Sequence, residues 1–359
     1  MITKFHVAGF KALENQTIDL TALNLLAGTN GAGKTSFIHA LLLLREASKS
    51  NDETLVLNGP YGMELGTLGN IQNWKNPDIT LTTTDAHGQQ FCVKLGGQPE
   101  ARYAKVLQRT GQTPANLEQK PRVFQYLCAE RYGPKAILPV SSRPPSEIEV
   151  GVQGEYCANV LSILGGSPVL EARVLPGGKA DQALLLKFQT ERWLSRITRE
   201  VQIDTEPSSN GVTGLKFRFE DGDWVKSTNM GFGITYALPI IVAGLTGAPG
   251  GLLIIENPEA HLHPSGQSAM GGFLAKLAAS GLQVLVETHS DHVINGIRLA
   301  VGEQQSLKSE QTSIYAFEQG STQPKLLKVT PTGGVSDWPI GFFDQYQTDI
   351  SVLSRIRRR

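Results

Sequence analysis

"LNLLAGTNGAGKTSFIHALLLLREA", residues 23–47, is the stretch whose reading decides the fold. A short apolar run ends at Gly28. A glycine-rich loop follows, and then Phe37, Ile38, Leu41, Leu42 and Leu44 recur three and four apart. The pattern predicts a buried strand, a loop and an amphipathic helix. The loop "GTNGAGKT", Gly28 to Thr35, fits G-x-x-x-x-G-K-[ST] with the strand and helix that this motif requires on either side. Its glycines let the backbone wrap closely around phosphate oxygens, and the loop N–H groups and helix N-terminus supply a positive field. Gly28, Asn30, Gly31, Ala32, Gly33, Lys34, Thr35 and Ser36 are therefore the candidate phosphate-binding residues. Lys34 is expected to reach the β- and γ-phosphates of ATP, and Thr35 to bind Mg²⁺ through its hydroxyl.

A nucleotide site also needs an acid at the end of a nearby strand to hold the metal and its waters. "GLLIIENPEAHLHP", residues 251–264, supplies Glu256 at the end of an apolar run. The next seat, where a water-activating carboxylate is expected, holds Asn257. An amide can hydrogen-bond water but cannot take its proton. Glu259 is the nearest carboxylate, with Pro258 restricting the backbone before it. One reading makes Glu259 the base of a slow hydrolysis. The other makes the chain chiefly a nucleotide binder. Downstream, "LQVLVETHSDH" ends a further apolar run at His289, which as a neutral imidazole is expected to sense the γ-phosphate. His261 and His263 lie in the loop after Glu256, as helix-capping residues or facing a second subunit. His292 is expected to pack or cap the following helix. These histidines match no zinc spacing.

From about residue 228, apolar strands alternate with helices: "GITYALPIIVAGL", "GLLIIE", "SGQSAMGGFLAKLAAS", "LQVLVET" and "DHVINGIRLAV". This predicts a parallel sheet covered by helices. Residues 50–220 do not alternate cleanly. Hairpins are expected at "DITLTTTDAHGQQFCVKL" and "GLKFRFEDGDWVK", helices at "GEYCANVLSIL" and "ADQALLLKFQTERWLSRITREV", and a strand at "RVFQYLCAERYGPK". The expected division is 1–50, the first part of an ATPase head; 51–222, an inserted α+β lobe; 223–330, the second part of the head; and 331–359, a tail. No heptad run supports a long coiled coil.

Composition narrows the partners. The 359 residues carry 33 Lys+Arg and 33 Asp+Glu, so no global charge points to nucleic acid or membrane. Cys92, Cys128 and Cys157 are too few and unpatterned for a disulfide framework or zinc ribbon, which suits a reducing compartment. The N-terminus "MITKFHVAGF" alternates like a strand and lacks a signal h-region, and no apolar stretch is long enough to span a bilayer. A cytoplasmic protein is expected, without membrane contact. The tail "RIRRR", with Arg355, Arg357, Arg358 and Arg359, is a candidate for DNA contact, though such short basic ends are commonly just solvated.

Together these segments resemble the ABC-type ATPases of the SMC, RecF and OLD group. "FHVAGFKALENQTIDLTALNLLAGTNGAGKTSFIHAL" is similar to that group's first strand pair and Walker A, "LLIIENPEAHLHP" to its Walker B, and "VLVETHSDHVING" to its histidine switch. "YLCAERYGP" and "WPIGFFDQ" resemble standalone OLD-like ATPases with a C-terminal domain of unknown function, met in anti-phage and nuclease-linked systems. The resemblance implies an α/β, two-lobed ABC-type head with ATP and Mg²⁺ sandwiched between two subunits stacked head to tail. "STNMGFGITY" takes the signature place, so Ser227, Asn229, Gly231 and Gly233 become candidates to meet the γ-phosphate. Lys11 matches a basic residue that reaches the nucleotide, and Gln72 is the candidate metal-contacting Q-loop glutamine. The Leu-Ser-Gly-Gly-Gln signature, a Toprim nuclease and a coiled-coil tether have no counterpart. The expected function is an ATP-driven dimeric switch that gates a separate effector such as a nuclease. A non-hydrolysing scaffold and a RecF-like DNA loader are the alternatives.

Overall fold

The computed structural model describes residues 1–175, 184–207, 210–318, 323–336, 338 and 345–356. The chain opens with strands β1 (Ile2–Phe10), β2 (Leu13–Asp19) and β3 (Leu23–Gly28) and helix α1 (Lys34–Ala47). There follow β4 (Thr54–Val56), one helical turn α2 (Leu68–Ile71), β5 (Ile79–Asp85), β6 (Gln90–Gly96), β7 (Tyr103–Gly111) and β8 (Phe124–Leu127). The middle adds β9 (Ile137–Pro139), α3 (Cys157–Leu164), α4 (Leu186–Ile197), β10 (Gln202–Pro207), β11 (Val212–Arg218) and β12 (Val225–Lys226). The last third alternates α5 (Phe232–Thr246), β13 (Leu252–Glu256), α6 (Pro264–Ala279), β14 (Gln283–Thr288), α7 (Asp291–Gly302) and β15 (Thr312–Phe317), then β16 (Lys325–Lys328) and α8 (Gln345–Ile356).

Three sheets result. The central one has the order β16-β15-β3-β14-β13-β8. Its strands run parallel except β16. Both faces are covered, as a parallel sheet requires. Leu253, Ile255, Val284 and Val286 enter one core, while Leu252, Ile254 and Leu285 enter the other. This period-two split places Glu256 on the Leu252/Ile254 face and Glu287 on the Leu285 face, the side on which α1 packs. The second sheet is antiparallel, in the order β2-β1-β5-β6-β7-β4, and α1 lies between it and the central sheet, with Phe5 and Phe37 edge to face at 5.0 Å. A third, small sheet pairs β9 to β12.

The hairpins expected at 78–95 and 214–226 form. The span 51–222, expected as one inserted lobe, is instead divided among all three sheets. β5 pairs with β1, β8 pairs with β13, and only the middle part, within 137–226, builds a separate small sheet, whose core is continuous with that of α5, α6 and the central sheet. The division follows from edges: β1 and β13 each present an edge that sequence-distant strands complete. Of the tail, "WPIGFFDQ" lies outside the described residues except Trp338 and Gln345, and so do Arg357, Arg358 and Arg359 of "RIRRR". No helix among the described residues is long and apolar enough to cross a membrane.

Arg173 ties the middle lobe to the head. Its side chain is fully buried. Nη1 donates to the carbonyls of Gly247 (2.6 Å), Gly244 (2.9 Å) and Leu245 (3.3 Å) at the end of α5, and Nε donates to Ser280 Oγ (2.9 Å) after α6. Burial lowers its pKa to about 10, so the guanidinium stays charged and the helix C-terminus acts as its counter-dipole. Arg173→Ala leaves these carbonyls without their donor. It is expected to cost about 3 kcal/mol and to lower the thermal unfolding midpoint.

Candidate functional site

The phosphate loop joins β3 to α1. Gly28 takes φ 137, and a Cβ there would stand 2.1 Å from the Phe317 carbonyl, so only glycine lets the loop leave the sheet beside β15. A cavity of about 370 Å³ opens over the loop, lined by Asn30, Gly31, Gly33, Lys34, Thr35 and Ser36 on one side. The other side brings Ala129, Glu256, Asn257, Glu287 and His289 from the ends of β8, β13 and β14. Ligand atoms placed there would meet the C-terminal edge of a parallel sheet, where open α/β sheets bind.

Lys34 is buried, and its ammonium rests on the carbonyls of Gly28 (3.1 Å) and Thr29 (2.8 Å). Thr35 donates its hydroxyl to both oxygens of Glu287, at 2.9 and 3.0 Å. The sequence reading missed Glu287. It pairs directly with Glu256 across β13 and β14, on the same face. Burial and then the neighbouring Glu256 carboxylate push its pKa up to about 7. The signal was present, since an acid interrupts the apolar strand "LQVLVET".

Glu256 is held by both oxygens. Tyr126 donates its hydroxyl to Oε1 (2.9 Å), and the Ala129 amide donates to Oε2 (3.1 Å). Burial still raises its pKa, against these bonds and the Arg131 charge. Arg131 is itself buried, and Nη1 donates to the Glu256 carbonyl (2.6 Å) while Nη2 donates to the Asn257 carbonyl (2.6 Å). The stretch that reaches Glu256 is therefore the end of β8. Gln72, expected there, is elsewhere: it bridges to Phe10 and donates to the Pro77 carbonyl, outside the cavity. Two carboxylates and a hydroxyl are hard oxygen donors, and paired acids in a buried register fit a divalent cation such as Mg²⁺.

Asn257 sits at φ 45, in the left-handed region that asparagine tolerates better than most side chains. Its amide N–H donates to the Glu287 carbonyl (2.9 Å), and its side-chain oxygen is buried without a partner. Glu259, the expected base, is not among the residues lining the cavity, but it lies near enough to act electrostatically on Lys34, Glu287 and His289. Its carboxylate accepts from the Thr288 hydroxyl (2.8 Å) and the His289 amide (2.7 Å). The His289 imidazole is kept toward neutrality by burial and by the Lys34 charge.

The signature candidates lie outside this cavity. Ser227 is buried, with its hydroxyl on the Lys135 carbonyl, so it does not face outward as expected. Asn229 and Gly231 are exposed just before α5. A Cβ on Gly233 would stand 2.7 Å from the His261 carbonyl, so the start of α5 passes close to the loop after Glu256. There the His261 ring meets Tyr236 (4.7 Å) and Phe232 (5.0 Å), and Arg131 stands 5.3 Å over Tyr236. His263 caps α6, and His292 pairs with Asp291 at 3.7 Å. Lys11 also lies outside the cavity, at φ 49, with its ammonium 3.1 Å from His39 Nδ1 on α1.

The family described as "AAA ATPase domain" matches residues 1–92, and that described as "AAA domain, putative AbiEii toxin, Type IV TA system" matches residues 171–295. "Protein of unknown function (DUF3696)" matches residues 307–353. No curated protein matches the chain. Among solved structures, the Smc head domain with an extended coiled coil bound to the C-terminal domain of ScpA, derived from Pyrococcus furiosus, is 10% identical with a TM-score of 0.50, covering 99% of each chain. An SmcHead bound to the C-winged helix domain of ScpA is 12% identical with a TM-score of 0.50, covering 92% of this chain and 97% of that one. The neighbours share an α/β fold consistent with a P-loop, ABC-type ATPase head, and the two AAA domain models each match part of the chain.

Two outcomes follow from the geometry. Glu287→Gln is expected to weaken Mg²⁺-dependent ATP binding roughly tenfold, read by titrating Mg²⁺ against a fluorescent ATP analogue. His39 has its pKa lowered to about 4 by burial and the Lys11 charge. Between its ordinary value and that one, the unfolded chain binds the extra proton, so stability falls as pH falls through this window, by about 3 kcal/mol in full. His39→Gln removes that part of the pH dependence in urea unfolding measured from neutral pH down to about pH 4.

Proposed function

We propose that the chain is an ATP-dependent switch that binds Mg²⁺·ATP at the phosphate loop, pairs head to tail with a second copy across the nucleotide, and gates a separate effector such as a nuclease in a bacterial defence or DNA-processing complex. The observation that carries this reading is the convergence of Lys34, Thr35, Glu256, Glu287, Asn257 and His289 on one cavity. The outward-facing Asn229 and Gly231 support the pairing, since a second copy would find open N–H groups at the start of α5.

Each residue has a role in this proposal. Bound Mg²⁺ would neutralise charge on the β- and γ-phosphates. Thr35, Glu256 and Glu287 hold it, directly or through its waters. Lys34 swings from the loop carbonyls to the phosphates. Asn257 orients the attacking water through its unpartnered oxygen, and His289 contacts the γ-phosphate. Glu259 acts by fixing the His289 backbone. With an amide in the seat after Glu256, turnover is slow. A second reading, a non-hydrolysing scaffold that holds its partner while ATP is bound, is favoured by the same amide and by the engagement of Glu259 with Thr288 and His289.

Phosphate release separates the two, with Lys34→Ala as the blank. Wild type is expected to exceed the blank, and Glu259→Gln to keep part of the rate. A fall of Glu259→Gln to the blank would restore it as the base. Asn257→Asp keeps a side chain suited to the left-handed backbone and adds a carboxylate, and is expected to raise turnover about tenfold or more. Wild type equal to the blank leaves the scaffold. Light scattering with ATP and Mg²⁺ is expected to give the mass of a dimer for wild type and of a monomer for Lys34→Ala.

A further inference from the structure

A second cleft lies behind the metal acids. Two adjoining cavities of about 280 and 440 Å³ share Lys49, Tyr61, Phe124, Arg143 and Glu149. They open at the edge strand β8 and share no lining residue with the cavity over the phosphate loop.

Their walls combine rings and cations. The Tyr61 ring stands 5.9 Å from that of Phe124 and 6.2 Å from that of Tyr126. Lys49 lies 4.5 Å over Tyr61, and Arg45 lies 5.3 Å over Phe124. Lys49 and Arg143 pair with Glu46 and Glu149, in partly exposed pairs that exchange partners at little cost. Arg45 forms no salt bridge among the described residues. Its guanidinium donates to the Glu118 carbonyl (3.0 Å) and Ser48 Oγ (3.5 Å).

Two features set this cleft apart from a packing gap. Arg45 Nε is buried without a hydrogen-bond partner, an uncommon state for a buried polar group. Tyr61 also takes φ 56, a strained conformation of the kind that gathers at ligand clamps. This donor calls for an acceptor, and the partly buried Tyr61 ring offers a stacking surface. Glu149 and Glu155, in the same walls, suit sugar hydroxyls.

The geometry points to a ligand site for a small molecule that carries both a planar ring and a phosphate, of which a nucleoside monophosphate is the simplest. The ring packs on Tyr61, and the phosphate meets Arg45, Lys49 and Arg143. The Tyr126 ring lines the cleft while its hydroxyl donates to Glu256 at 2.9 Å, so occupancy is felt at the metal acid. Binding stands on the cleft alone. The effect on turnover rests on the ATP-switch reading above.

The test is equilibrium dialysis of radiolabelled AMP, GMP, CMP and UMP against the full chain, with the phosphate loop filled by ATPγS and Mg²⁺. One further equivalent per chain of at least one monophosphate is expected. Arg143→Glu, at an exposed position, should weaken it at least about tenfold with an unchanged melting curve. No binding of any of the four up to millimolar concentration overturns the site. So does binding lost in Lys34→Ala but kept in Arg143→Glu, which would place it at the phosphate loop. Adenosine or inorganic phosphate alone should compete poorly, and equal competition by either overturns the two-part ligand. The bound monophosphate should change phosphate release in wild type, and Tyr126→Phe should abolish that change whatever its own basal rate. An unchanged wild-type rate, or a response kept by Tyr126→Phe, overturns the link to Glu256. If the chain releases no phosphate at all, the switch reading has failed, and dialysis still decides the site.

Discussion

Two buried carboxylates facing each other across β13 and β14 set the terms for the rest of the molecule. Glu256 and Glu287 stand in direct register, on one face of a sheet whose both faces are covered. Like charges so placed repel, and burial strengthens the repulsion. The surrounding groups answer that field. Tyr126, the Ala129 amide and Thr35 donate to the carboxylates, while the Lys34 and Arg131 cations lie within electrostatic reach. With the two acids these groups come from four separate segments of chain, so the acid pair explains why the phosphate loop, the end of β8 and the Asn257 turn meet where they do.

Much of this was legible in the sequence, because it is written in local patterns. The phosphate loop has its own spacing, and the strand–helix alternation after residue 228 is a periodicity. Glu256 ends an apolar run. The features that escaped depend on which strands become neighbours. Glu287 gains its meaning only from lying opposite Glu256. The end of β8 reaches Glu256 because β8 pairs with β13, across more than a hundred residues of sequence. Gln72 was assigned by motif position, and its loop is drawn instead to the β1 edge, where Asn73 donates to the Lys11 carbonyl. Asn257 looked like a lost carboxylate, whereas its left-handed backbone gives a conformational reason for asparagine.

A chain of contacts also joins the start of α5 to this centre. Phe232 and Tyr236 enclose the His261 ring, Arg131 covers Tyr236, and the same guanidinium grips the carbonyls of Glu256 and Asn257. Buried hydrogen bonds with so little slack couple the position of the helix to the geometry of the turn. Gly233 keeps the two close enough for this to work.

The placement of β3 has a consequence for how the chain acquires its shape. The strand that carries the phosphate loop lies between β14 and β15, both contributed by the last quarter of the sequence. On a ribosome, β1 and β5 to β7 can pair while synthesis continues, but β3, made before β5 to β7, emerges with both edges open and stays so until β14 and β15 have been made. An apolar strand unpaired for that long is a template for wrong partners. The antiparallel sheet packed on α1 would shelter part of it in the interval, so the N-terminal sheet doubles as a holding surface for the nucleotide loop before any nucleotide can bind.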